Sequence, residues 1–191
     1  MKKYFSIVLF LTAFLLSSCK GDNKQGTQQK TTVQQKNNID FEQLISEGQE
    51  YLKNMQVNKA KEVFLKAIDV SPDKPDGYYG LGVCYTINCG ANIENCKEGI
   101  KYLDKVLQMD AKYRRAYYNR AICRDKLGNS QGAIDDLDIQ ISLDNTDPDY
   151  YHNRAVIKLQ LGDTTDACND FKKSYDLGNV FDKVSIENLC N

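Results

Sequence analysis

Seven cysteines, a single histidine and a recurring set of Tyr, Asn and Arg residues carry the chemistry this sequence has to offer. Six of the cysteines follow Cys19: Cys84, Cys89, Cys96, Cys123, Cys168 and Cys190. An even number of thiols in an exported chain points to disulfides. Cys89 and Cys96 flank a short stretch with little else to hold it, and Cys168 and Cys190 can tie the last segment to what precedes it. These two pairs are the expected bridges. Zinc is disfavoured, because Cys84-x₄-Cys89-x₆-Cys96 is not a tetrahedral ligand spacing. A thiol redox site at Cys89 and Cys96 would need a depressed thiol pKa, and the Cys-x-x-Cys arrangement that favours one is missing.

The remaining candidates read as surface rather than catalysis. His152 stands on a helical stretch with no Cys or carboxylate at ligand spacing. No Ser/His/Asp order, HExxH, phosphate-cradling Gly loop or paired-carboxylate motif occurs, so the sequence reads as non-enzymatic, with no cofactor and no metal. The acidic run Asp144-Asn145-Thr146-Asp147-Pro148-Asp149 lacks the Gly and distant Glu of a calcium loop and reads as a turn and helix cap.

The elements that position these residues follow from a repeat. Tyr117-Tyr118-Asn119-Arg120-Ala121 recurs 34 residues later as Tyr151-His152-Asn153-Arg154-Ala155. Leu127-Gly128 recurs as Leu161-Gly162, Ala133 as Ala167 and Leu137 as Phe171. A period in the thirties, with apolar residues every three to four positions inside it, signals a stack of helical pairs. Gly48, Tyr51, Ala60, Phe64, Ala67 and Pro72 sit at the spacings of the tetratricopeptide pattern, as do Tyr78, Leu81, Gly82 and Tyr85. The sequence therefore resembles four tetratricopeptide repeats, at about 41–74, 75–113, 114–147 and 148–181, with a cap at 182–191 and an insertion at 86–98. The resemblance implies an all-α, right-handed solenoid. Asn145 and Asn179 depart from its closing prolines.

Helical periodicity places Gly48, Gly82, Ala121 and Ala155 where first helices approach their partners, with Phe64, Leu103, Leu137 and Phe171 filling the space between. Gly128 and Gly162 suit left-handed caps, and Ser130, with Asp163 or Thr164, can start the next helix. Val180 to Leu189 reads as a final helix. No unit buries its own apolar stripe, so the units must stack. Cys84 and Cys123 fall on neighbouring first helices, whose usual separation of about 8–10 Å exceeds bridging reach, so they read as core thiols.

In peptide-binding members of that family the inner face carries Asn residues that grip an extended backbone. Asn119 and Asn153 match those places, while Ser46 and Gly80 depart from them. Tyr79, Tyr118 and His152 are mutually equivalent, and with Arg115 they would line an aromatic, polar groove. The competing reading is that both Asn residues only cap or solvate a helix face. The clamp that holds acidic chaperone tails is a poor match, since its full set of Lys and Asn is absent.

The chain opens with Met1-Lys2-Lys3, an apolar run to Leu16, and small residues before Cys19. A basic start and an apolar run too short to span a membrane describe an export signal. Leu16-Ser17-Ser18-Cys19 resembles the lipobox of bacterial lipoproteins. That resemblance implies loss of residues 1–18 and lipidation of Cys19, and Lys20 leans toward the outer membrane. Residues 19–38 read as a lipidated cysteine and a disordered tether, residues 39–191 as the repeat domain. Lys2 and Lys3 leave with the signal, and the tether holds four lysines against Asp22. The domain keeps 19 basic and 25 acidic groups, a net charge of −6. Nucleic acid, which demands a basic face, is excluded as a partner. The expectation is a membrane-anchored interaction module of the cell envelope binding a neutral or basic protein or peptide. The alternative is a structural subunit docking through helix edges or the insertion.

Overall fold

A computed structural model describes residues 41–190. The export signal, Cys19 and the tether lie outside the described residues. Nine helices and no strand occur among the described residues: α1 (41–53), α2 (Val57–Val70), α3 (Pro75–Ile87), α4 (Ile93–Met109), α5 (Arg114–Lys126), α6 (Ser130–Leu143), α7 (Pro148–Gln160), α8 (Thr164–Asp176) and α9 (Asp182–Leu189). Phe41 and Ile45 of α1 pack with Ala60 and Phe64 of α2, and α3, α5 and α7 each pack with the even-numbered helix that follows, giving an all-α stack.

Local chemistry sets the boundaries. Pro75 and Pro148 occupy first-turn positions, where a missing N–H costs nothing. Asn92, Asp147 and Asp163 cap α4, α7 and α8 by accepting from backbone N–H groups of the first turn. The cap of α6 is Asn129, which accepts from Gly132 N at 3.0 Å, and not Ser130. Ser130 lies one residue too late, already inside the helix.

Three helices close alike. At α5 the N–H of Gly128 reaches Asp125 O and that of Asn129 reaches Arg124 O, with Gly128 at φ +79°. This paired closure satisfies carbonyls that would otherwise face no donor. Gly162 and Gly178 repeat it. At the end of α1 the same bonds form around Met55, a non-glycine residue at φ +57°.

The core is the same layer repeated. Phe64, Leu103, Leu137 and Phe171 are each at most 2 % exposed. A Cβ on Gly48 would lie 2.5 Å from the Phe64 ring, and one on Gly82 would lie 2.7 Å from Leu103, so these approaches need glycine. The extra residues of the second pair do not form one long loop. They lengthen the turn to residues 88–92 and extend α4 to 17 residues, against 14 in α2 and α6. The last helix starts at Asp182 rather than Val180, leaving Val180 and Phe181 exposed in the preceding turn. Ile186 and Leu189 of α9 cover Phe171 and its neighbours.

Candidate functional site

The first helices α3, α5 and α7 lie side by side and are braced by one repeated contact. Asn119 Nδ2 donates to the Tyr79 hydroxyl at 3.3 Å and to Arg115 O at 2.9 Å. One unit on, Asn153 Nδ2 donates to the Tyr118 hydroxyl at 3.2 Å and to Asp149 O at 2.7 Å. A carbonyl oxygen can only accept, so these bonds fix which end of each amide is nitrogen. Each amide oxygen is then oriented away, available to an incoming N–H. The two asparagines therefore bridge helices, which is neither capping nor simple solvation.

The aromatic members sit against further rings. Tyr79 lies 5.0 Å from Tyr113, and Tyr118 lies 5.2 Å from Tyr150, between ring centroids. Burial raises the pKa of Tyr79, while that of Tyr118 is pushed up to about 12 by burial and the nearby Asp149 carboxylate. Both are neutral phenols at physiological pH, so the row presents hydrogen-bonding groups and ring surface rather than charge. Arg115 is exposed on α5 beside Tyr79 and supplies a cation at the rim. His152 occupies the equivalent place in α7 but turns to the cap: its Nδ1 lies 2.6 Å from Asp182 Oδ1. Asp182 is 1 % exposed and also accepts from Asn179 Nδ2.

Next to Asn153 a cavity of about 130 Å³ opens between α5 and α7. Ala121, Ile122, Leu137, Val156 and Ile157 give it an apolar floor, and Asp125, Lys126, Asn153 and Gln160 form its rim. An apolar pocket with a few polar groups at its edge is how proteins hold a single side chain or a small ligand.

A second repeated constellation lies behind this row and was not anticipated from the sequence. Arg120 grips Asp136 through Nε and Nη2 at 2.9 and 2.6 Å and reaches back to Asp104 with Nη1 at 2.5 Å. Arg154 does the same with Asp170 (2.8 and 2.6 Å) and Asp138 (2.6 Å). Arg124 joins Asp136 and Lys158 joins Asp170. Burial works against the Arg154 charge, but its bonds to Asp170 and Asp138 prevail and raise its pKa. The signal was in the sequence, since 104, 120, 124 and 136 each recur 34 residues later as a residue of the same charge.

Cys89 is bridged to Cys96, with Cα atoms 4.7 Å apart, and Cys168 to Cys190 at 5.5 Å. The second bridge ties α9 to α8. Cys84 and Cys123 are buried free thiols. Burial pushes Cys84 up to about 12 and raises Cys123 as well, so both rest as thiols at neutral pH rather than as the ready thiolates of a Cys-x-x-Cys redox pair. In the acidic run, Asp144 accepts from Thr146 N and Oγ1 and pairs with Arg114 at 2.9 Å, while Asp147 caps α7. No cluster of metal-ligating side chains occurs among the described residues.

The tetratricopeptide repeat family model matches residues 44–74 and 148–177. Solved structures share the fold. A thermophilic tetratricopeptide protein of Thermus thermophilus is 17 % identical, with a TM-score of 0.67 over 77 % of this chain and 79 % of that one. The MamA protein is 20 % identical, with a TM-score of 0.64 over 77 % and 79 %. Pseudomonas aeruginosa pilF is 21 % identical, with a TM-score of 0.65 over 74 % and 63 %. At these identities the likeness is one of fold. No curated protein matches the chain in sequence. Two segments of the chain thus match the tetratricopeptide repeat, and the stack as a whole has the fold of tetratricopeptide-repeat structures.

Proposed function

We propose that this chain is a lipid-anchored interaction module of a bacterial cell envelope, on the outer membrane, which holds an extended segment of a protein partner across α3, α5 and α7. The observation that carries the reading is the cavity beside Asn153, at the end of the Tyr79–Asn119 and Tyr118–Asn153 row. The row offers amide oxygens to a backbone, and the cavity offers an apolar seat of about 130 Å³ to one side chain. A domain net charge of −6 favours a neutral or basic partner. The anchor rests on Leu16-Ser17-Ser18-Cys19. Among the described residues no helix is long and apolar enough to cross a membrane.

The test is capture of partners by the full-length protein from detergent-solubilised envelope, comparing wild type with Val156→Arg and Phe181→Glu. Val156→Arg fills the cavity, and Phe181, 83 % exposed, lies in the turn before α9. A partner lost with Val156→Arg and kept with Phe181→Glu is the expected result. The reverse pattern moves the interface to the end of the stack. Labelling with a clickable palmitate checks the anchor: Cys19→Ser is expected to abolish the label, and equal labelling of the variant would remove the lipid from the account.

A further inference from the structure

Three cysteines pack together where α3, α4 and α5 converge. Cys89 and Cys96, joined as a disulfide, form one buried cluster with the free thiol of Cys123, sealed by Ile100 and Leu127. The equivalent residue in the last unit is Ile157, an ordinary core aliphatic, so the fold does not require sulfur at this position. Cys84, the equivalent residue in the preceding unit, packs among Phe64, Leu81 and their neighbours, away from either bridge. Of the two free thiols, then, only Cys123 packs against a disulfide.

Two contacts fit Cys123 for more than filling space. A Cβ on Gly99 would lie 3.1 Å from its sulfur, so the missing side chain seats the thiol against α4, one turn beyond Cys96. The Thr86 hydroxyl lies 3.2 Å from the same sulfur and donates its own proton to Gly82 O at 2.9 Å. The Cys123 S–H is therefore the donor to Thr86. Once the thiol ionises, the Thr86 hydroxyl can rotate and donate to the thiolate instead.

We propose that Cys123, Cys96 and Cys89 form an internal thiol–disulfide exchange site that releases Cys89 on the α3–α4 turn as a thiol open to modification by external thiol-reactive compounds. The Cys123 thiolate attacks the Cys96 sulfur; the Cys96–Cys123 bond forms as the Cys89–Cys96 bond breaks. The proton given up by Cys123 is taken by the departing Cys89 thiolate, and nothing is oxidised or reduced overall. The product clamps α4 to α5 and frees the turn, where Gly90, Ala91 and Asn92 are already exposed. External thiols do not compete, because all three sulfurs are at most 3 % exposed. Attack requires the thiolate, and burial raises the Cys123 pKa. Exchange is thus slow at neutral pH and accelerates about tenfold per pH unit.

The experiment holds the purified full-length protein at neutral pH and at about pH 9. Samples are quenched in acid, alkylated with N-ethylmaleimide in denaturant, and mapped by peptide mass spectrometry. At the start the label falls on Cys84 and Cys123 among the described cysteines. With time it is expected to appear on Cys89 as it declines on Cys123, faster at the higher pH. Cys84→Ser should leave this unchanged and Cys123→Ser should abolish it. Cys123→Val, which copies the aliphatic found in the last unit, serves if the serine variant does not fold. Label that stays on Cys84 and Cys123 throughout overturns the proposal. So does label on Cys96 in place of Cys89, or label on Cys89 that persists in the Cys123 variants.

Discussion

The first two helical pairs and the last two build the same layer from different chemistry. In α3 and α4 the positions equivalent to Arg120 and Asp136 are Leu81 and Tyr102, which pack in one apolar cluster. In α5–α8 those positions hold Arg120 with Asp136, and Arg154 with Asp170, as two-toothed ion pairs whose carboxylate side chains are at most 6 % exposed. The turns differ too: Met55 closes α1 where Gly128 and Gly162 close α5 and α7. What the halves share is the small residue facing Phe64, Leu103, Leu137 or Phe171. That contact sets the repeat, and the position beside it accepts either solution once every buried charge is paired.

The largest effect should separate the halves. Asp136→Ala strands Arg120 and Arg124 without their shared carboxylate and should cost about 3–5 kcal/mol in urea unfolding. Asp138→Ala, at a carboxylate 54 % exposed, should cost less than about 1 kcal/mol. Equal costs would break the comparison. Arg120→Leu with Asp136→Tyr copies the second pair and should recover part of the loss. Next in size, Cys168→Ser with Cys190→Ser releases α9 and should cost about 2–4 kcal/mol, with faster hydrogen exchange confined to the cap and α8.

Smaller effects sharpen it. Gln140 is fully buried with neither side-chain nitrogen nor oxygen hydrogen-bonded, and its equivalent in α4 is Val106. Gln140→Val should therefore stabilise by about 1–2 kcal/mol. Met55→Gly gives the first unit the turn used later and should raise stability by about 0.5–1 kcal/mol, whereas Gly128→Met should lower it. Last is a spectroscopic effect. The Tyr118 pKa is raised in the folded state, so its contribution to stability is complete below pH 10 and lost as pH rises toward 12. Alkaline difference absorbance should show several late-ionising phenols, Tyr113 among them, and one fewer in Tyr118→Phe.

The fold was legible because its determinants are local and periodic. Small residues, buried rings and Gly caps recur at one interval, and each can be read from a few neighbours. The helix pairs, Gly128 and Gly162 were accessible in that way. Ser130 misled because Asn129 and Ser130 are both good caps, and the backbone chooses between them. The ion pairs join residues 16 apart on different helices. Their charges look like a solvated face until the helices are packed. The role of Asn119 and Asn153 as braces depends on hydroxyls 40 and 35 residues upstream, so their geometry emerges only in the assembled stack.

The most direct test of the binding account is site-specific photocrosslinking in the source cells. A benzophenone side chain replaces Val156 in the full-length protein, with Lys105 on the exposed side of α4 as the comparison site. The account predicts a discrete protein adduct at Val156 and none at Lys105. An adduct at Lys105 with none at Val156 would place the partner on the opposite helices and contradict it.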